Sequence, residues 1–157
     1  MGSGQDGRKE GGAPIRPGRA GTATLVVADE HTAPRVGSGM VHVLATPVMI
    51  NLLEAAALDA VERLLPAGTQ SLGTVLDVRH IAATPVGMKV TARAEVTRVE
   101  GRTIHFRLEA RDEKEIIGDG RHERVVVNVE KFAARVRRKS VGTDAEKPGV
   151  QREKDAE

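Results

Sequence analysis

A hydroxyl, a carboxylate and an imidazole stand at Thr46, Glu54 and His80. Together they are the parts of a nucleophile or water-activation site. Each also has an ordinary alternative. Thr46 followed by Pro47 reads as the N-cap and first helical position of a helix. Glu54 reads as an interface residue paired with an arginine such as Arg79 or Arg124, and His80 as a hydrogen-bonded core histidine. Glu54 is the most telling of the three. Ile50, Glu54, Leu58, Val61 and Leu65 recur at helical spacing, which predicts a carboxylate on a buried stripe. Such a group is costly unless it is paired, hydrogen-bonded or neutralised.

The element that must position Thr46 and Glu54 is a single helix expected over Leu44 to Leu65, closed by Arg63 in its last turn and by Pro66 and Gly68. Before it come a first strand at Ala20 to Ala28, a Gly/Pro/Ser loop from His31 to Met40 and a short strand at Val41 to Val43. After it, SLGTVLDVRH puts Leu72, Thr74, Leu76, Val78 and His80 on one face by alternation. Thr84-Pro85-Val86-Gly87 is a type I turn. Val90, Ala92, Ala94 and Val96 then alternate with polar residues, Glu100-Gly101 makes a tight hairpin, and Ile104, Phe106, Leu108 and Ala110 alternate again. In the last strand Gly118 and Gly120 predict a bulge or a close backbone approach.

One strand, one long helix and four consecutive antiparallel strands require an α+β arrangement, a curled antiparallel sheet wrapped around one central helix. This is the hotdog architecture. A lone sheet of this kind leaves edges and part of the helix uncovered, so a homodimer is expected.

The 157 residues suffice for one domain. The expected division is a disordered leader at 1–19, a domain at 20–134, and a charged, disordered tail at 135–157. With 24 basic and 22 acidic residues the formal charge is only +2, and the basic excess lies in the two end segments. The run Arg135 to Lys139 reads as a solvated tail, and nucleic acid is not expected because no aromatic platform accompanies it. Phe106 and Phe132 are the only aromatic residues, so the core must be aliphatic. The absence of cysteine excludes disulfides, a thiolate nucleophile and Cys-ligated metal. The five histidines show neither helical i,i+4 spacing nor a carboxylate-flanked motif, so no metal is expected, and His105, on the polar face of its strand, is expected to face solvent. With no long apolar run and no signal-peptide pattern, the expectation is a cytoplasmic protein with no membrane segment.

In LATPVMINLLEAAAL (Leu44 to Leu58), SLGTVLDVRHIAATPVGM (Ser71 to Met88), VEGRTIHFRLEARD (Val99 to Asp112) and IGDGRHERVVV (Ile117 to Val127), the chain resembles the fluoroacetyl-CoA thioesterase-like branch of the hotdog thioesterases. The resemblance spans nearly all of Gly21 to Lys139. It implies hydrolysis of a short acyl-CoA thioester in a pocket at a homodimer interface, without a cofactor, and with Thr46, Glu54 and His80 as the catalytic trio. It also implies that Gly73 lets the acyl group approach the backbone, with a sheet bulge as the alternative. Arg124 matches a position that holds the pocket or the CoA end, with a cross-strand ion pair as its alternative, and Lys89 and Arg79 are candidates for the CoA phosphates. The departure lies before the helix. Where the fluoroacyl-specific form places phenylalanines as a lid, Val36 to Thr46 carries Met40, Val41 and His42, with Met40 and Val43 lining the entrance. Thioester hydrolysis is expected to survive this change and fluoroacyl selectivity is not. The competing readings are a module that binds acyl-CoA without turnover, as sensor or carrier, and a hotdog hydratase or dehydratase acting on enoyl-thioesters.

Overall fold

The alternating apolar positions of the two middle strands set the architecture. In the computed structural model, which describes residues 12–141 and 148–150, Val90, Ala92, Ala94, Val96, Ile104, Phe106, Leu108 and Ala110 are all buried. They lie on β3 (Lys89–Glu100) and β4 (Thr103–Arg111), paired antiparallel through a two-residue turn at Gly101 and Arg102. Gly101 has φ +57° there, in the left-handed region that glycine tolerates. β1 (Ala20–Val26), β2 (Thr69–His80) and β5 (Ile116–Asn128) complete a five-stranded antiparallel sheet in the order β1-β3-β4-β5-β2. β1 and β2 are therefore its two edges. A 3₁₀ turn at Asp29–His31 and the four-residue α1 (Ala33–Val36) lead to the long helix α2 (Thr46–Val61). The expected α+β hotdog form is the one observed.

α2 is shorter than expected and turned on its axis. It ends in a 3₁₀ turn at Glu62–Leu64, and its buried face is Met49, Leu52, Leu53, Ala56, Ala57, Ala60 and Val61. Of the predicted stripe only Val61 is fully buried, whereas Leu58 is 37% exposed and the Glu54 side chain 33%. The alanines decide the matter. Their small side chains bring the helix close to β1 and β3, and a Cβ on Gly21 would overlap the α2 backbone at Ala56 and Ala60. The stripe containing Ile50, Glu54 and Leu58 is left at the edge of that contact.

The start of α2 also differs. Ala45, in extended conformation, is the N-cap, and no side chain caps the helix. Thr46 is the first helical residue, with Pro47 beside it in the first turn. No strand forms at Val41 to Val43; one isolated bridge joins Thr32 and Leu44.

In β2 the predicted alternation is broken by a bulge between Gly73 and Val75. Cross-strand partners share a face, so Gly73 lies with Arg124 and Leu76 with His122, on the side that faces α2. Leu72, paired with Val125, lies on the opposite side. Gly118 and Gly120 do mark close approaches: a Cβ on Gly118 would press on Met49 Sδ at 2.7 Å, and one on Gly120 would overlap the Asp77 carbonyl.

Both chain ends carry more structure than expected. Within the predicted leader, Ile15 packs against the core and Gly18 N–H donates to the Val96 carbonyl at 2.8 Å. Within the predicted tail, residues 135–140 form the end of α3 (Val129–Ser140), capped by Asn128, whose side chain accepts from Lys131 N–H at 3.0 Å. The alternation that identified β5 does not register a helix that begins one residue later. The remaining terminal positions of the leader and tail (1–11, 142–147 and 151–157) lie outside the described residues. Among the described residues no helix is long and apolar enough to cross a membrane.

Candidate active site

Because Ala45 rather than Thr46 caps α2, the threonine hydroxyl is free for another partner. It meets His80, the last residue of β2, with Oγ1 2.8 Å from Nδ1. The imidazole is half-buried, and its Nε2 is buried without a hydrogen-bond partner among the described residues. Burial disfavours the imidazolium and holds the pKa below the ordinary histidine value, with the nearby Ala82 backbone acting weakly the other way. Burial thus favours the neutral imidazole, the form able to accept a proton. The pair opens into a cleft of about 330 Å³ lined by Met40, Val41, Val43, Leu44 and Ile81. Met40 stands 90% exposed at its mouth. The loop carrying it is tied down by Asp29, which bonds both Arg35 and His42 at 2.8 Å.

Glu54 is not part of this pair within one chain. Eight residues further along α2, it is about 12 Å up the helix from Thr46. It faces Gly73, His122 and Arg124 on the sheet instead. Arg124 Nη1 lies 3.4 Å from Glu54 Oε1, and His122 Nε2 lies 3.9 Å away. Of the two arginines proposed as partners, Arg124 is the one found; Arg79 is engaged by Asp119 at 2.9 Å. Of the two readings of Gly73, the bulge is the one observed. It sits at the bulge, and a Cβ there would overlap Glu54 Oε1, so the missing side chain is what admits the carboxylate.

Three members of this cluster, Ser71, Glu62 and His122, were not among the candidates, and they are joined through Arg124. Arg124 is almost fully buried, and its Nε and Nη2 donate to Ser71 Oγ at 2.8 Å and the Ser71 carbonyl at 3.0 Å. Ser71 Oγ in turn donates to Glu62 Oε2 at 2.6 Å, and its N–H to Oε1 at 3.0 Å. His122 is fully buried, with Nδ1 2.7 Å from the Val75 carbonyl. A carbonyl only accepts, so Nδ1 carries the proton, and Nε2 is left to accept from Arg124 Nη1 at 3.2 Å. Burial foremost, and the adjacent guanidinium, push the His122 pKa down, which agrees with that neutral tautomer. Burial likewise lowers the Arg124 pKa, while the Glu54 and Glu62 carboxylates oppose it. A buried guanidinium between two carboxylates is the pairing that makes its desolvation tolerable. The signal in the sequence was His122 and Arg124 two apart, on one face of β5. Ser71 and Glu62 gave none.

His105 is not solvent-facing as expected. Its side chain is 14% exposed, between Glu123 at 3.1 Å and Glu100 at 3.5 Å. The two carboxylates, on the strands that flank β4, draw the ring onto the sheet. No cluster of three or more potential metal ligands occurs among the described residues.

The family model described as fluoroacetyl-CoA-specific thioesterase matches residues 27–130. A fluoroacetyl-CoA thioesterase from Streptantibioticus cattleyicolor is 47% identical over 98 residues, covering 62% of this chain and 70% of the relative. A solved structure of the fluoroacetyl-CoA thioesterase FlK superposes with a TM-score of 0.77 at 39% identity, over 81% of this chain and 98% of that one. A thioesterase-superfamily member from Thermus thermophilus superposes with a TM-score of 0.74 at 31% identity, over 80% and 93% of the two chains.

Proposed function

The chain belongs to the fluoroacetyl-CoA-specific thioesterase family and hydrolyses acyl-CoA thioesters, and from that premise we propose that Thr46, His80 and Glu54 carry out the hydrolysis in a site completed by a second copy of the chain. The observation that carries the reading is the 2.8 Å contact between Thr46 Oγ1 and His80 Nδ1 at the floor of an open cleft. In the Nε2–H tautomer, His80 Nδ1 takes the hydroxyl proton as Thr46 Oγ1 attacks the thioester carbonyl. The positive end of α2 favours the oxyanion that forms there. As the C–S bond breaks, the proton passes from His80 to the CoA sulfur. Water then attacks the threonine ester, giving one proton to Glu54; as the ester C–O bond breaks that proton passes to Thr46 Oγ1, so the acid leaves with the hydroxyl and the carboxylate both restored. No metal or cofactor enters these steps, because a thiolate is already a good leaving group.

The separation of Glu54 from Thr46 within one chain supports the dimer. β2 is an edge strand with Val75 and Leu76 about 40% exposed, an arrangement that invites pairing with another strand. Two β2 edges meeting antiparallel about a twofold axis near Leu76 bring Gly73 of one copy beside His80 of the other. Glu54, which packs against Gly73, then faces Thr46 across the interface. The acyl selectivity follows from the entrance. Met40, Val41 and Val43 replace an aromatic lid, so acetyl- and propionyl-CoA are expected to be turned over at rates comparable with fluoroacetyl-CoA. An acyl-CoA substrate supports a cytoplasmic location.

The test is thiol release from a panel of short acyl-CoAs by wild type, Thr46→Ala and Glu54→Gln. Each variant is expected to lose about a hundredfold or more in kcat, the scale for removing an acid–base or nucleophilic group. In Glu54→Gln the ester on Thr46 should accumulate and be visible by mass spectrometry. A folded Glu54→Gln that keeps full rate removes the carboxylate from the mechanism.

A further inference from the structure

Hydrolysis of an acyl-CoA leaves one part of the substrate without a place in this site, its phosphates. The cleft at Thr46 and His80 is lined by small and apolar side chains and contains no lysine or arginine. Elsewhere on the sheet, Arg79, Arg93, Arg98, Arg107, Arg111 and Arg121 are each held at ion-pair distance from a carboxylate. That includes Arg79, a phosphate candidate on sequence grounds.

Arg102, Lys131 and Arg135 are different. They come from the β3–β4 turn and from α3, and they converge on one groove of about 390 Å³. The groove lies on the side of the sheet away from α2, over Leu72, Val125 and Val127, and no carboxylate lines it. Among the described residues none of the three cationic side chains has an ion-pair partner. Phe132, one of only two aromatic residues in the chain, stands beside them 37% exposed. Like charges gathered without counterions raise the local potential and favour an anion. Phosphate, with its several acceptor oxygens, is the anion such donors hold best.

We propose that this groove binds the phosphate-bearing nucleotide end of CoA, with Arg102, Lys131 and Arg135 on the phosphates and Phe132 against the adenine. The inference rests on the thioesterase reading above. Its reach is set by Gly73, which lines one end of the groove while Glu54 and Arg124 pack against it from the α2 side. In the dimer, the groove of one copy therefore opens beside His80 of the other. The pantetheine arm bridges the two, so that the nucleotide rests on the subunit opposite the attacking threonine.

The experiment compares two substrates, acetyl-CoA and S-acetyl-N-acetylcysteamine, which has the thioester but no nucleotide or phosphate. In the double variant Lys131→Glu with Arg135→Glu, KM for acetyl-CoA is expected to rise about tenfold or more with kcat retained. Each exposed charged contact is worth a few-fold, and reversal turns attraction into repulsion. KM for the truncated thioester should not move. Lys114→Glu, a charge reversal away from the groove, should leave KM for both as in wild type. Raising salt should weaken wild type on acetyl-CoA more than it weakens the double variant. An unchanged KM for acetyl-CoA, or an equal rise for both substrates, overturns the proposal. Calorimetric titration with free CoA separates this from the reaction itself. Binding by wild type that is lost in the double variant upholds the groove even if no thioester is cleaved, and equal binding by both refutes it.

Discussion

Replacing Gly73 by alanine adds one methyl group where the structure has room for none. The new Cβ would overlap Glu54 Oε1 and come within 3.1 Å of His122 Cε1 and 3.5 Å of Arg124 Nη1. His122 is fully buried and bonded at both ring nitrogens, so it does not yield easily. The Glu54 carboxylate, at the end of a half-exposed flexible side chain, must retreat by about 1 Å to reach an ordinary contact distance. Its contact with Arg124, 3.4 Å at the outset, is then lost. A displacement of that size at a reacting group costs on the order of a hundredfold in rate. The methyl itself, forced into a packed site, costs about 1–3 kcal/mol of stability. Thiol release from acetyl-CoA should therefore show kcat falling about a hundredfold with KM changed by less than about threefold, since the thioester-binding cleft is untouched. Thermal melting should show a drop of several degrees. If Gly73→Ala folds, melts lower and yet turns over at the wild-type rate, then the bulge has absorbed the methyl and the close placement of Glu54 on β2 is not what catalysis needs.

Ser71→Ala removes the one hydroxyl that accepts from Arg124 Nε and donates to Glu62 Oε2; a loss of about 1–3 kcal/mol and a several-fold fall in kcat are expected, by melting and thiol release. Leu76→Arg puts a charge at the centre of the proposed β2–β2 contact, and sedimentation should find monomers with little activity; an active monomer contradicts the composite site. His80 and His122 both have folded-state pKa values below the unfolded one, because burial disfavours the charge. Between the two values the unfolded chain binds more protons, so stability should be intact above about pH 6.5 and fall as pH drops below it. Protonation of His80 removes the base at the same time, so kcat/KM should fall on the acid side with an apparent pKa below the usual histidine value. A Thr46→Ala variant should keep the stability profile and lose only the rate.

The strands β3 and β4 were legible because strict alternation has one interpretation when a single face is buried. Thr46, Glu54 and His80 stood out as candidates in the sequence, through residue type and through ordered motifs. Their grouping was not. The helical stripe through Ile50, Glu54 and Leu58 placed Glu54 in the core, but alanines 56, 57 and 60 set the rotation of α2, and small residues carry little weight when apolar positions are counted. The bulge at Gly73 shifted half of β2 to the other face, an effect that one inserted residue has on everything before it. Glu62 and Ser71 belong to the site only through Arg124, a link made by tertiary packing across the sheet. The helix α3 was hidden by its charge, since Arg135 to Lys139 reads as solvated whether or not it is folded.

The near-absence of aromatic residues also determines how this protein can be watched. With no tryptophan and no tyrosine, and with Phe106 sealed in the core and Phe132 at the rim of the cationic groove, the chain is almost dark in the near ultraviolet. Ordinary fluorescence will report neither its unfolding nor its ligands. The same darkness is an opportunity. A single Phe132→Trp substitution would be the only strong emitter in the molecule, standing beside Lys131 and Arg135, and any change in its signal would come from one known place.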